Sequence, residues 1–317
     1  MAITLVESAK YSHDQLMAGV IETIIEGMPL MQSLPFETIS GNAYAYAQET
    51  TLPGAAFRAV NSGYTESTGT ITQKTETLAI LGGDADVDKF IVTTRPGQLA
   101  NIRAEVTRSK AKAVRMAFMD TFVNGDIDSD ANAFNGLKKR VASTSQEIGA
   151  ATNGLAIVGA DDAARHTFFD KLDELIALIP GGPEMLLMND ALLGKIRSSA
   201  RRLTIYDQTV DAFGAVVSTY RGIPLVDVGY KADGSTRILP QTETQGSSSV
   251  TSSIYAIKMG RTPSDRGITG LTNGGILVTD LGELETKPVY RTRIEFYVGL
   301  ANHGDKAIAR LKGVLAS

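Results

Sequence analysis

A chain of 317 residues, 43% of them hydrophobic, is long enough to fold as two packed lobes. Its 31 Lys and Arg against 35 Asp and Glu leave a formal net charge of −4, which argues against a protein that wraps nucleic acid with its whole surface. The lack of Cys removes disulfides, thiolate catalysis and Cys-based zinc sites, and with no Trp and 6% aromatics there are few platforms on which bases could stack.

The first segment, up to about Leu34, reads as a helix with loose flanks. Leu16, Val20, Ile24 and Ile25 recur at helical spacing, Glu22 and Glu26 sit off that face, and Pro29 breaks the run. With the count taken to Thr38, Glu7, Asp14, Glu22, Glu26 and Glu37 oppose the lone Lys10, so the segment is acidic as well as amphipathic. A short stripe of this kind cannot bury itself and must dock on its own chain or on a neighbour. The opening MAITLVESAKYSHDQL lacks a basic stretch followed by an apolar one, and no later run approaches ~18 apolar residues. Neither secretion by that route nor a membrane span is expected, and a reducing compartment fits the absence of Cys.

From Thr38 to Val92 the pattern turns to β. Tyr44 and Tyr46 alternate with small residues, and Ile71, Gln73, Thr75 and Thr77 alternate with Thr70, Thr72, Lys74 and Glu76 in a run that is almost wholly polar. Pro53, Gly54, Asn61, Gly63 and Gly69 make the intervening stretch a long turn-rich tip. Such a hairpin offers no apolar face to anchor a core, and it makes physical sense lying across another subunit.

Arg95 to Asn124 carries the strongest helical signal. Pro96 suits a first turn, while Leu99, Ile102, Val106, Ala113, Val114, Ala117, Phe118 and Phe122 form one stripe, with Gly125 as a stop. At ~1.5 Å per residue this is a rod of roughly 40 Å. Arg103, Arg108, Lys110, Lys112 and Arg115 are expected on its opposite face.

Strand and helix then alternate. Phe168, Leu172, Leu175, Ile176 and Ile179 share a helix face capped by Asp161 or Asp162; MLLMN follows as a buried strand, DALLGKIRSSAR as a helix and YRGIPLVDV as a strand. The polar tract TETQGSSSVTSS is expected as a surface loop before the strand SIYAIKMG. In the tail, Val289, Arg291, Arg293, Glu295 and Tyr297 share one face of a long strand. Tyr290, Ile294, Phe296 and Val298 line the other, a face able to pack on the long helix. No period of ~20–50 residues repeats.

Signs of chemistry are sparse. His13, His166 and His303 fall in three different elements without metal-ligand spacing and read as surface or interface residues. There is no Gly-x-Ser-x-Gly elbow and no phosphate loop ending in Gly-Lys-Ser/Thr. Asp84, Asp86 and Asp88 alternate as if to line a strand face, but the Gly and Glu of a calcium loop are out of place. ITGLTNGGI reads as a bent loop rather than a phosphate cradle. The basic helix face is the best nucleic-acid candidate, with pairing to acids of the arm or of a neighbour as the plainer reading.

The order of parts resembles that of tailed-phage major capsid proteins of the Hong Kong 97 fold, over nearly the whole chain. MAITLVESAKYSHDQLMAGVIETIIEGMPLMQSLPF resembles the N-terminal arm (residues 1–37), and GNAYAYAQETTLPGAAFRAVNSGYTESTGTITQKTETLAILGGDADVDKF the extended β-hairpin loop (38–92). Arg95 to Asn124 resembles the spine helix, with FNGLKKRV as the phrase after it, in a peripheral domain (93–151). YRGIPLV resembles the strand turn of an axial domain (152–270), and KPVYRTRIEFYVGLANHGDKAIARLKGV the closing strand and helix of the return to the peripheral domain (271–317). The resemblance implies an α+β subunit that assembles with itself through hexamers and pentamers into an icosahedral head in the host cytoplasm. It implies packaged double-stranded DNA touched weakly and without specificity, and portal, decoration and separate scaffolding proteins as further partners. It implies no catalytic, cofactor-binding or metal-binding residue, no cofactor and no membrane. Some relatives cross-link a loop Lys to an Asn of another subunit, a chemistry for which Lys74 and Asn273 are the conceivable pair. The competing readings are an encapsulin-like nanocompartment shell, a tail or baseplate protein, and an α/β enzyme lacking a recognisable catalytic motif.

Overall fold

The computed structural model describes residues 19–20, 24, 29–94, 99–203, 207–210 and 216–316. Most of the expected N-terminal helix, His13 and Pro96 lie outside them. Three sheets organise the chain. Strands β1 (Phe36–Thr38), β13 (Ile268–Glu283), β14 (Val289–Asn302) and β4 (Ala79–Asp88) form a four-stranded sheet in the order β1-β13-β14-β4. After the short helices α1 (Pro29–Ser33) and α2 (Lys89–Thr94), the helix α3 (Leu99–Asn124) lies against β4 and β14, and the short helix α4 (Leu137–Val141) follows it. The 26 residues of α3 make a rod of about 39 Å. Alternation on β14 works as the sequence implies, since Thr292, Ile294, Phe296 and Val298 are buried while Arg291, Arg293, Glu295 and Tyr297 are half-exposed. Phe296 meets Phe118 of α3 and Phe36 of β1 at ring-centroid distances of 6.0 Å each, the centre of an aromatic cluster that also takes in Phe122 and Phe134.

The stripe expected on α3 is buried only toward its C-terminal end. Val114, Phe118 and Phe122 are buried, joined by Ala111, Met119 and Val123, whereas Ile102, Val106, Ala113 and Ala117 are half-buried. Val20 and Ile24 are buried in this same core, so these two arm residues dock on their own chain.

The second sheet comprises β5 (Glu147–Gly149), β6 (Leu155–Ala156), β7 (Met185–Met188), β8 (Asp207–Val210), β9 (Val216–Tyr220), β10 (Ile223–Asp227), β11 (Glu243–Gln245), β12 (Ser248–Ile257) and β15 (Ile308–Leu315). They run in the order β5-β15-β12-β7-β10-β9-β8, with β11 on β12 and β6 on β15. Its centre is buried on both faces. In β7 (Met185–Met188), Met185 and Leu187 belong to the core shared with α3. Leu186 and Met188 belong to a second core under the helices α5 (Asp162–Ala177) and α6 (Asp190–Arg202). Double-sided burial explains why MLLM reads as a continuous apolar run rather than an alternating one. Asp161 caps α5 by accepting from Ala164 N at 2.8 Å, and Asn189 caps α6 by accepting from Leu192 N at 2.9 Å. Strands β9 (Val216–Tyr220) and β10 (Ile223–Asp227) turn through Arg221 and Gly222, whose φ values of 53° and 79° are the left-handed pair that a two-residue hairpin needs.

Three expectations are corrected. The tract TETQGSSSVTSS is a tight hairpin of β11 (Glu243–Gln245) with β12 (Ser248–Ile257), and Thr251, Ser252 and Ser253 are buried in the second sheet. ITGLTNGGI lies within β13, where the pairing jumps from Thr272↔Val298 to Ile276↔Phe296. The left-handed Gly274 and Gly275 absorb the extra residues as a bulge. The closing helix is instead strand β15 (Ile308–Leu315), paired with β12, β5 (Glu147–Gly149) and β6 (Leu155–Ala156). A segment flanked by two strands and buried at Ile308, Ala309, Leu311 and Val314 has both edges satisfied by ladders, which overrides its helical propensity.

Candidate assembly surface

Strands β2 (Ala43–Thr51) and β3 (Thr70–Thr77) form the third sheet, a two-stranded antiparallel ribbon. Residues 52–68, which join them, are all exposed. Val60 is 90% exposed, Leu52 and Tyr64 are 71% exposed, and Phe57 is fully exposed. Among the described residues, the contacts that shape the tip are local. Ser67 Oγ donates to Gly54 O at 2.8 Å, and the Arg58 guanidinium lies 5.2 Å from the Tyr64 ring. A row of large apolar side chains held in water is the kind of patch that marks an association surface.

The root of the ribbon departs from the expectation that it has no anchoring face. Tyr44, Tyr46 and Gln48 point one way from β2, and Tyr46 and Gln48 are buried. Tyr46 packs with Ile39, Leu271 and Ala301 in a small core of its own. Its hydroxyl donates to Asn302 O at 2.8 Å and accepts from Asn302 N at 3.3 Å. Burial, reinforced by the charge of Glu76, pushes that phenol up to about 12. Ion pairs surround this contact. Arg140 grips Glu76 through both nitrogens at 2.7 and 2.9 Å and donates to Leu300 O; Lys74 meets Asp305 at 3.0 Å and Arg266 meets Glu49 at 2.8 Å. The ribbon is thus fixed at its root and free at its tip.

The candidate residues of the sequence are dispersed. His166 is exposed on α5, whereas His303 is buried beneath the ribbon, its ring edge-on to Tyr46 at 4.8 Å. Asp84 and Asp86 face arginines across the ladder. Arg293 holds Asp84 at 2.8 and 3.0 Å, and Arg291 holds Asp86 at 2.7 and 2.6 Å. Both carboxyls are kept below the usual range, chiefly by these hydrogen bonds. Asp84 and Asp86 are therefore one half of a cross-strand charge ladder, while Asp88 lies opposite Val289 and accepts from Phe90 N at 2.7 Å. Among the described residues no group of three or more His, Asp or Glu is placed to hold a metal ion.

The basic residues of α3 do not share one face. Arg103 and Lys110, seven apart, flank the sheet side, where Arg103 meets both oxygens of Asp280 at 2.7 Å and Lys110 lies beside Gly83 and influences Asp84. Arg108, Lys112 and Arg115, at spacings of four and three, line the other flank. Lys74 pairs with Asp305, and Asn273 donates to Gly41 O at 3.2 Å.

Two features escaped the sequence reading. Asp126 and Asp128, just after α3, are bridged by Lys139 at 3.0 and 2.5 Å. Arg310 on β15 sits between Glu147 at 2.7 Å and Glu243 at 3.0 Å, with Ser253 Oγ accepting a third hydrogen bond. The first carried a signal in the spacing of its acids; the second had none, since its members lie far apart in the chain.

A family model described as "Major capsid protein GP7" matches residues 12–168, the stretch that contains the ribbon and α3. The chain belongs to the tailed-phage major capsid proteins. Solved structures agree on the fold. The holo-SrpI encapsulin complex from Synechococcus elongatus PCC 7942 is similar at a TM-score of 0.65 and 18% identity, covering 91% of this chain and 88% of that one. A structure from Mycobacterium phage Adephagia is similar at 0.59 and 12% identity, covering 91% and 89%. The capsid of a native GTA particle is similar at 0.55 and 17% identity, covering 90% and 89%. No curated protein matches the sequence. This capsid protein has the α+β Hong Kong 97 fold, and its role is structural: it builds a phage shell from copies of itself. Among its described residues no helix is long and apolar enough to cross a membrane.

Proposed function

We propose that this capsid protein forms hexamers and pentamers that close into an icosahedral head around double-stranded DNA. In this reading residues 1–37 act as the arm, 38–92 as the extended loop, 93–151 and 271–317 as the peripheral domain and 152–270 as the axial domain. Assembly takes place in the host cytoplasm, with portal, decoration and separate scaffolding proteins as partners and only weak, non-specific contact to DNA. No residue is assigned catalytic, cofactor or metal duty.

The observation that carries this reading is the ribbon tip, whose Leu52, Phe57, Val60 and Tyr64 are exposed while the root is clamped. Burying such side chains on an adjacent copy supplies hydrophobic free energy that the isolated subunit forgoes. Removing Gly54 to Gly69 is expected to leave a folded subunit that no longer closes shells, as seen by negative-stain microscopy. A truncated chain that aggregates without folding, or that still closes shells, contradicts the reading.

The likeness to an encapsulin supports a second reading, a nanocompartment with protein cargo. Nuclease-resistant DNA inside purified particles separates the two, since a nanocompartment yields packaged protein instead.

A further inference from the structure

The root of the ribbon contains a group that the assembly reading does not use. His303 follows β14, is 3% exposed, and among the described residues neither ring nitrogen has a hydrogen-bond partner. Its ring packs edge-on against Tyr46 at 4.8 Å and Tyr44 at 6.1 Å, the two aromatic residues that seat β2 on the body. The same ring borders a hollow of about 290 Å³ lined by Gln48 and Glu49 of the ribbon and by Asp265, Arg266 and Asp305 of the body. A neutral imidazole suits this place. A charged one buried without an acceptor carries an uncompensated desolvation cost.

We propose that His303 is a proton-operated latch at the base of the ribbon: neutral, it completes the packing of Tyr44 and Tyr46, and on protonation it loosens their seat and frees the ribbon to swing. This rests on the reading of the ribbon as the part that reaches a neighbouring copy, and it names a regulator of that contact.

Most of the charged groups around the latch are held by other partners. From the ribbon, Glu49 is held by Arg266, Lys74 by Asp305 and Glu76 by Arg140. From the body, Asp265 accepts from the backbone N–H groups of Arg261 and Thr262, and Lys258 donates to Pro180 O. Lys306 is exposed at the rim of the hollow. Burial holds the His303 imidazole below its ordinary value, and the charge of Asp265 is the opposing influence. A folded value below the unfolded one means that the contribution of the latch is complete above about pH 6.5. It is lost as the pH falls from there through the depressed value.

Titration of the histidine ring resonances in the wild-type chain tests the first half directly, with no substitution that could disturb folding. His303 is expected to titrate below about pH 6.5, and a midpoint at or above the ordinary value overturns the latch. The second half uses the Cys-free background. Spin labels on Gln73→Cys of the ribbon and Ser129→Cys of the body report their separation at about pH 7.5 and about pH 5, the range in which an imidazole changes charge. The distance distribution is expected to broaden at the lower pH and to stay narrow when His303→Phe is added. Equal broadening in the His303→Phe chain, or none in the wild-type background, overturns the proposal. Negative-stain microscopy of both chains at the higher pH is read separately. If neither forms shells there, the assembly reading fails while the titration and the label distances still decide the latch.

Discussion

Arg310 shows how one side chain ties together strands that the sequence keeps far apart. Its guanidinium joins Glu147 of β5, Glu243 of β11 and Ser253 of β12, all buried or nearly so, and lies 5.5 Å from the Tyr255 ring. Replacing it by Met strands the carboxylate of Glu243 and leaves Glu147 with only the longer contact to Lys312 at 3.4 Å. Such a loss typically costs about 3–5 kcal/mol, an expectation checked by the urea unfolding midpoint. Replacing Glu147 and Glu243 by Gln in the same chain is expected to recover much of that loss, because the penalty lies in the stranded charge. The partly exposed Asp84 gives a milder, pH-dependent case. Its carboxyl is held below the usual range first by the Arg293 hydrogen bond. Its contribution is therefore full above about pH 4 and is lost as the pH falls through the depressed value. The Asp84→Asn chain is expected to lose thermal stability less steeply than wild type below that pH, as read by calorimetry.

At the scale of elements, one tight point lies between α3 and the four-stranded sheet and another lies within that sheet. Phe118 is buried among Phe36, Phe122, Phe134 and Phe296, and Phe118→Ala is expected to cost about 3–5 kcal/mol by chemical denaturation. Gly82 of β4 crosses β14 so closely that an added Cβ would lie 2.3 Å from Ile294 O. Gly82→Ala must push β4 outward, with an expected loss of about 1–3 kcal/mol. The helix itself was legible because its apolar residues recur every three or four positions. The same spacing separates its cations, since Arg103 and Lys110 are seven apart and Arg108, Lys112 and Arg115 lie on the other flank. Their partners were not legible, because Asp280 sits on β13 and Asp84 on β4, far along the chain.

At the scale of the whole molecule, fold stability and assembly are assigned to different residues. Phe57 and Val60 touch little in the subunit, so Phe57→Ser with Val60→Ser is expected to change its unfolding free energy by no more than about 0.5 kcal/mol. The same pair is expected to lower the yield of closed shells in sedimentation. Wild-type shell yield from the double variant would show that the tip is not the surface on which copies meet. The root, by contrast, ties the ribbon to the body through Tyr46, Arg140 and Lys74, so substitutions there disturb the subunit as well as the shell.

The sequence by itself determined the local pieces. The α3 helix, the alternating face of β14, the polar ribbon with its Gly- and Pro-rich tip and the cap of α5 each follow from spacing and turn chemistry within a few residues. Only the tertiary structure decided that AIARLKG is a strand, that a serine-rich tract is half-buried in a sheet, and that His303 lies under Tyr46. The reason is the same in each case. Those segments have weak or contrary local preferences, and their conformation is set by hydrogen-bond ladders and burial against partners tens to hundreds of residues away. One-dimensional spacing does not encode such partners.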